Sequence, residues 1–277
     1  MKAIINLVAI IWLLLSSSTF ANSSVELYSS PLGDVSISSS EHEYSLLAIA
    51  GGQPSGASTA GDCMITAAIK RKNDRFVGWL VPLKTRNFSY SESMAEKKSI
   101  ELSFDNDSIL INDANTLGIC GFGVTFVEIY HKLPDESNQY KTNYIKFLKI
   151  IHEIAKNKFI EGDRHGAIKS MMPYAENYPM EWLGEANSDQ NPIVFLNDYA
   201  FFLQQTGHSS DAINTLKKIL KVRPKRTVAW LNLADAYWDI KEYSLARESY
   251  KNYILMMQAA KKSIPYRVVE RVNAETK

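Results

Sequence analysis

The sequence predicts a two-part chain, an antiparallel β sandwich or barrel followed by a short array of α-helical hairpins. Three observations carry that prediction. The hydrophobic period changes near residue 134, from the two-residue alternation of strands to the roughly 3.6-residue period of helices. Two helical hairpins repeat 34 residues apart between Ile193 and Met256, and a fixed period of that size marks units that bury their apolar faces by stacking. Both cysteines, Cys63 and Cys120, fall in the strand-like half.

Residues 1–21 read as an export signal: Lys2 supplies the positive end, Ile4 to Leu15 the apolar stretch, and Thr19-Phe20-Ala21 a small-residue cleavage site. The apolar run is too short for a membrane span and is interrupted by Asn6. No cysteine follows it until Cys63, which excludes a lipid-modified N-terminus of the bacterial lipoprotein kind. The expectation is a soluble mature chain, periplasmic or secreted, without membrane insertion. Lys and Arg balance Asp and Glu at 31 against 30, so no charge excess points to nucleic acid.

In an oxidising compartment the two cysteines are expected to pair. Closing the loop between Cys63 and Cys120 stabilises the fold by roughly 4 kcal/mol on the loop-entropy model. A metal or redox role is disfavoured, because no histidine stands near either sulfur at ligand spacing.

Between Val25 and Leu133 the strands declare themselves by alternation. Ile100, Leu102 and Phe104 alternate with Ser99, Glu101 and Ser103, and Ile109 with Ile111 continues after the turn at Asp105-Asn106-Asp107. Cys63 to Lys70 and Phe76 to Leu83 form a second hairpin, Val35 to Ser40 and Leu46 to Ala50 add shorter strands, and Val124 to Tyr130 reads as the closing strand. The total is about six to eight strands. Polar, turn-rich residues 134–142 read as a linker. The expected organisation is therefore a signal at 1–21, a disulfide-bonded β domain at 22–133, the linker, and helical repeats at 143–277.

Ile145, Leu148, Ile151 and Ile154 open the helical part on one face. A degenerate copy of the hairpin precedes the two clear ones: Gly162-Asp163 takes the turn position of Gly207-His208 and Lys241-Glu242, Ala155 matches Ala200, and Ala167 matches Ala212 and Ala246. Residues 182–192 read as an insertion after it. Pro173 is expected to break or kink its second helix. Tyr266 to Val272 is expected to form a capping helix whose Arg267, Glu270 and Arg271 tolerate water.

In the clear copies Ala246 overlays Ala212, Ala234 overlays Ala200, Trp230 overlays Leu196, Tyr237 overlays Leu203 and Tyr250 overlays Leu216. Trp230, Leu233, Ala234, Tyr237, Ala246 and Tyr250 stand at the spacing of the tetratricopeptide repeat (TPR) family, which this region resembles. The resemblance implies a binding scaffold with a concave groove lined by Asn197, Asp198, Phe201, Gln205, Leu231, Asn232, Asp235, Trp238 and Asp239. Carboxylates beside aromatics there favour a protein or peptide with basic and apolar side chains. The carboxylate-clamping members of the family use cations in the groove, so an acidic C-terminal tail is not implied as ligand. The run Cys120 to Tyr130 resembles the last strand of small disulfide-bonded domains of exported bacterial proteins, including lysozyme-inhibitor-like families.

No catalytic constellation accompanies these features. The glycine-rich stretch 51–61 lacks the Lys and Ser or Thr of a phosphate cradle, being followed by Asp62 and Cys63. His42, His131, His152, His165 and His208 are scattered, and no nucleophile elbow or metal-binding helix motif occurs. The reading is a non-enzyme without cofactor or metal: an exported interaction scaffold. The alternative is a protective inhibitor of a lysozyme or antibacterial toxin in the cell envelope.

Overall fold

Alternating apolar residues bury one face of a strand, and a sheet of such strands hides its apolar face by closing on itself. The computed structural model of the chain describes residues 23–40, 43–50, 63–73, 75–184 and 191–274. The export segment, His42 and the glycine-rich stretch 51–61 thus lie outside the described residues.

The strands and first helix are β1 (Ser24–Ser30), β2 (Gly33–Ser40), β3 (Glu43–Ala50), β4 (Cys63–Lys72), β5 (Arg75–Leu80), β6 (Leu83–Lys84), β7 (Ser89–Tyr90), α1 (Glu92–Ala95), β8 (Ser99–Asp105), β9 (Ser108–Ala114) and β10 (Ile129–Lys132). Eight of them close an antiparallel barrel in the order β1-β10-β9-β8-β5-β4-β3-β2, and β6 with β7 forms a separate ribbon. Eight strands leave an interior only wide enough for side chains. Val35, Leu46, Ile65, Ile100, Leu102, Ile109, Ile111 and Tyr130 fill it. Gly78 lets β4 and β5 approach closely, since a Cβ there would stand 2.2 Å from the Ala68 carbonyl oxygen.

The expected closing strand at Val124 to Tyr130 is corrected to Ile129–Lys132. The preceding residues cross the barrel end in turns, with Cys120 N–H bonded to the Thr116 carbonyl and Val124 N–H to that of Gly121. Gly123 adopts φ +84°, which takes the chain out of the ladder. Likewise β5 ends at Leu80, and Leu83 begins the ribbon.

The helices are α2 (Asn138–Ile160), α3 (Arg164–Glu176), α4 (Asn191–Gln205), α5 (Ser209–Val222), α6 (Thr227–Asp239), α7 (Tyr243–Ala259) and α8 (Tyr266–Asn273), with a 3-10 turn at Met180–Gly184. The first turn of α2, capped by the Ser137 side chain on Tyr140 N–H, lies inside the stretch read as linker. The alanines that align in sequence, Ala155, Ala200 and Ala234 on the first helices and Ala167, Ala212 and Ala246 on the second, are all completely buried. Each hairpin turns through one left-handed residue, Gly162 (φ +95°), Gly207 (φ +87°) and Lys241 (φ +65°). Helix ends favour glycine at that position because other residues crowd their own carbonyl. Lys241→Gly is therefore expected to raise stability by roughly 0.5–1 kcal/mol, and Gly207→Ala to lower it, as read from the midpoints of urea unfolding.

Pro173 does not break its helix. α3 runs through it to Glu176, and Asn177 N–H still reaches the Pro173 carbonyl at 3.2 Å. A proline removes one donor, and here Pro173 is buried among the side chains that hold the helix in place.

The first hairpin, α2 with α3, is laid on the barrel. β2 and β3 are buried on both faces: Val35, Leu46 and Ala48 point into the barrel, while Leu47 and Ile49, with Leu27 of β1, join the core of the helices. Ser36 and Tyr174 share a buried hydroxyl–hydroxyl bond of 2.6 Å. Asp34 accepts bonds from Asn143 at 2.8 Å and Lys146 at 3.0 Å, Glu153 accepts the Arg86 N–H, and Asn157 donates to the Lys84 carbonyl. Behind them Tyr144 packs its ring within about 6 Å of Tyr140, Tyr174, Tyr178 and Trp182. Burial pushes the hydroxyls of Tyr144 and Tyr174 far up, and that of Tyr140 to about 12. Trp182, the first residue of the stretch 182–192 read as an insertion, packs into this cluster.

Candidate protein-binding groove

α2 lies beside α4 and α4 beside α6, so the first helices of the three hairpins form one layer. The sequence-predicted groove residues sit on α4 and α6, and the structure gives them three different environments.

The carboxylates are engaged within the chain. Asp198 meets His152 of α2 at 2.8 Å, in a pair set edge-on against Phe195. Asp239 accepts a bond from Gln204 at 2.5 Å. Asp235 is the most heavily used: Tyr250 of α7 donates to it at 2.5 Å, and Arg267 and Arg271 of α8 donate at 2.5 and 2.8 Å. The Arg271 guanidinium also lies over the Trp238 ring, 5.0 Å from its centre. Burial and the Asp235 carboxylate both raise the Tyr250 hydroxyl above its ordinary range. α8 thus covers the Asp235 and Trp238 end of the layer. The signal for this was present in the sequence, since arginines at positions 267 and 271 share one face of a helix.

The neutral residues are differently placed. Asn197 is only 3% exposed, and its side-chain carbonyl oxygen accepts no hydrogen bond from any described residue. A buried polar atom without a partner carries a cost of about 1–3 kcal/mol, and this oxygen is sealed from the surface of the layer. Phe201, half-buried against Phe159 of α2, and the half-buried Leu231 and Asn232 of α6 complete an apolar and amide-bearing surface, with Gln205 exposed at its edge.

A second surface lies on the barrel. The Cys63–Cys120 disulfide, Cα–Cα 5.5 Å, ties the segment between β9 and β10 to the start of β4. On that segment Leu117 is 84% exposed and Phe122 fully exposed, and Trp79 on the outer face of β5 is 63% exposed. No sign of this surface stands in the sequence, because the run Cys120 to Tyr130 resembles a closing strand and nothing in it marks Phe122 as exposed.

A cleft of about 400 Å³ separates the barrel from α2 and α3. Ser38, Ser40, Thr66, Lys158 and Lys169 are among its lining residues, and no histidine is. Lys158 donates to Ser170 at 3.1 Å, and burial lowers its pKa; Lys169 pairs with Glu43, and Asp163 caps α3 through Gly166 N–H. His131 is exposed on β10. Among the described residues no three His, Cys, Asp or Glu side chains gather in a way that could hold a metal ion.

No protein-family model matches the chain, and no curated protein matches it. Solved structures are similar over part of the chain. The first TPR of Spaghetti (RPAP3), bound to the HSP90 peptide SRMEEVD, is 11% identical with a TM-score of 0.37, over 45% of this chain and 86% of that one. The Sgt2 TPR domain from Aspergillus fumigatus is 16% identical with a TM-score of 0.36, over 45% of this chain and 74% of that one. MamA protein is 13% identical with a TM-score of 0.33, over 46% of this chain and 68% of that one.

Proposed function

We propose that the chain is an exported, non-enzymatic adaptor that holds a protein or peptide partner on the layer formed by α4 and α6. The observation that carries this reading is the partly exposed surface of Phe201, Leu231 and Asn232 on the adjoining α4 and α6. A partner's apolar side chains would cover Phe201 and Leu231, and its polar backbone would bond the Asn232 amide. Asp198 and Asp239 act as internal struts, so the partner's chemistry at this end is apolar and hydrogen-bonding. The disulfide is compatible with an oxidising compartment.

Affinity capture with the full chain, from an extract of the compartment to which it is exported, tests the reading. Leu231→Asp with Phe201→Ala is expected to weaken capture of a specific partner by about tenfold or more, the loss of one or two anchor contacts. Unchanged capture would refute the groove.

A second reading, a barrel that inhibits a lysozyme or antibacterial toxin, is favoured by one observation. Phe122 and Leu117 stand exposed on a segment held by the disulfide, a rigid apolar projection of the kind that can enter a cleft. In that case capture would depend on Phe122 and not on Phe201, and the captured protein would be a hydrolase that loses activity when bound.

A further inference from the structure

We propose that Asp235, Tyr250 and Trp238 form a guanidinium-recognition site for a protein segment carrying two arginines one helical turn apart, a site that α8 fills in cis. The proposal extends the groove reading above and rests on it for the partner being a protein segment.

The chemistry comes from α8 itself. Asp235 is largely shielded from water, and a carboxylate so placed needs cationic or hydrogen-bonding partners. It receives three: the Tyr250 hydroxyl and one nitrogen each from Arg267 and Arg271. Arg271 uses the same nitrogen to meet Tyr250 at 2.5 Å, while its plane lies over Trp238. A carboxylate below and an aromatic face beside it select the flat, delocalised guanidinium over the compact lysine ammonium. The four-residue spacing of Arg267 and Arg271 brings both to one carboxylate from a single helical face.

α8 is a weakly anchored occupant. It has eight residues, below the roughly 12–15 at which isolated helices become stable. Only Val268 on it is fully buried, and Tyr266, Arg267, Val269 and Glu270 are exposed. The connection from α7 passes through Lys261 in the left-handed region, at φ +52°, a conformation that costs a non-glycine residue energy. Tethering adds to the arginine contacts, because a short linker gives an effective concentration in the millimolar range. A partner with the same arginine pair and more apolar contact along α4 and α6 takes its place.

The test uses the full chain and a labelled synthetic peptide with the sequence of residues 261–274, followed by fluorescence anisotropy. In the variant Arg267→Glu with Arg271→Glu, like charge drives α8 from Asp235 and opens the site. This variant is expected to bind the peptide at least about tenfold more tightly than the unaltered chain. Adding Asp235→Asn is expected to abolish the gain, and a peptide with lysine at both arginine positions to bind more weakly. A milder pair, Arg267→Gln with Arg271→Gln, gives the same ranking should the charge reversal impair folding, which its melting curve reports. Equal peptide binding by the unaltered and opened chains, or binding indifferent to Asp235→Asn, would overturn the proposal and leave α8 a fixed cap. Neither result touches capture through Phe201 and Leu231, so the two readings fail separately.

Discussion

Tyr144→Ala is expected to destabilise the whole chain by about 3–5 kcal/mol, the range for deleting a fully buried aromatic side chain. The ring sits at the centre of the Tyr140, Tyr174, Tyr178 and Trp182 cluster, and its hydroxyl donates to the Tyr174 carbonyl at 2.8 Å. Truncation leaves a cavity and strands that carbonyl. Tyr144→Phe keeps the ring and loses only the bond, and should cost about 1–2 kcal/mol. Because Leu27, Leu47 and Ile49 of the barrel belong to the same core, strand and helix signals are expected to shift together in urea, in one transition. A helical transition displaced from an unchanged barrel transition would show that the two parts are energetically separate.

Cys63→Ala with Cys120→Ala is expected to cost roughly 4 kcal/mol, since the bridge closes a loop with a sequence separation of 57. The structural loss is local, whereas the energetic loss falls on the whole fold, because the bridge constrains the unfolded chain. Segment 115–128 has few buried side chains of its own, Phe126 chief among them, and the disulfide fixes its middle to the barrel. The paired variant should therefore show fast amide exchange across 115–128, with β2 and β3 still protected by the helices above them. Comparing its unfolding midpoint with that of the unaltered chain gives the magnitude.

The division into a β half and a helical half could be read from hydrophobic period alone, and so could the repeat. The alanines and the left-handed turn residues of all three hairpins fall where the 34-residue overlay and its degenerate first copy place them. What the sequence concealed was the use of each surface. β2 and β3 alternate poorly because both faces are buried, one in the barrel and one under α2 and α3. The first hairpin is degenerate for the same reason: a barrel, with its serines and Asp34, replaces a neighbouring repeat as its packing partner. Pro173 is tolerated because packing outweighs one missing bond. The groove carboxylates were legible as residues on a face, but not as partners of His152, Gln204 and α8, because those pairings join positions 32 to 46 residues apart through tertiary contact. The orphaned oxygen of Asn197 has no sequence signal at all.

The most direct test of the adaptor account is site-specific photo-crosslinking in the full chain, from position 201 on α4 and, in parallel, from position 122 on the disulfide-held segment. The account predicts that one partner protein crosslinks from position 201 and that Leu231→Asp abolishes the product. A partner that crosslinks from position 122 and never from 201 would contradict it.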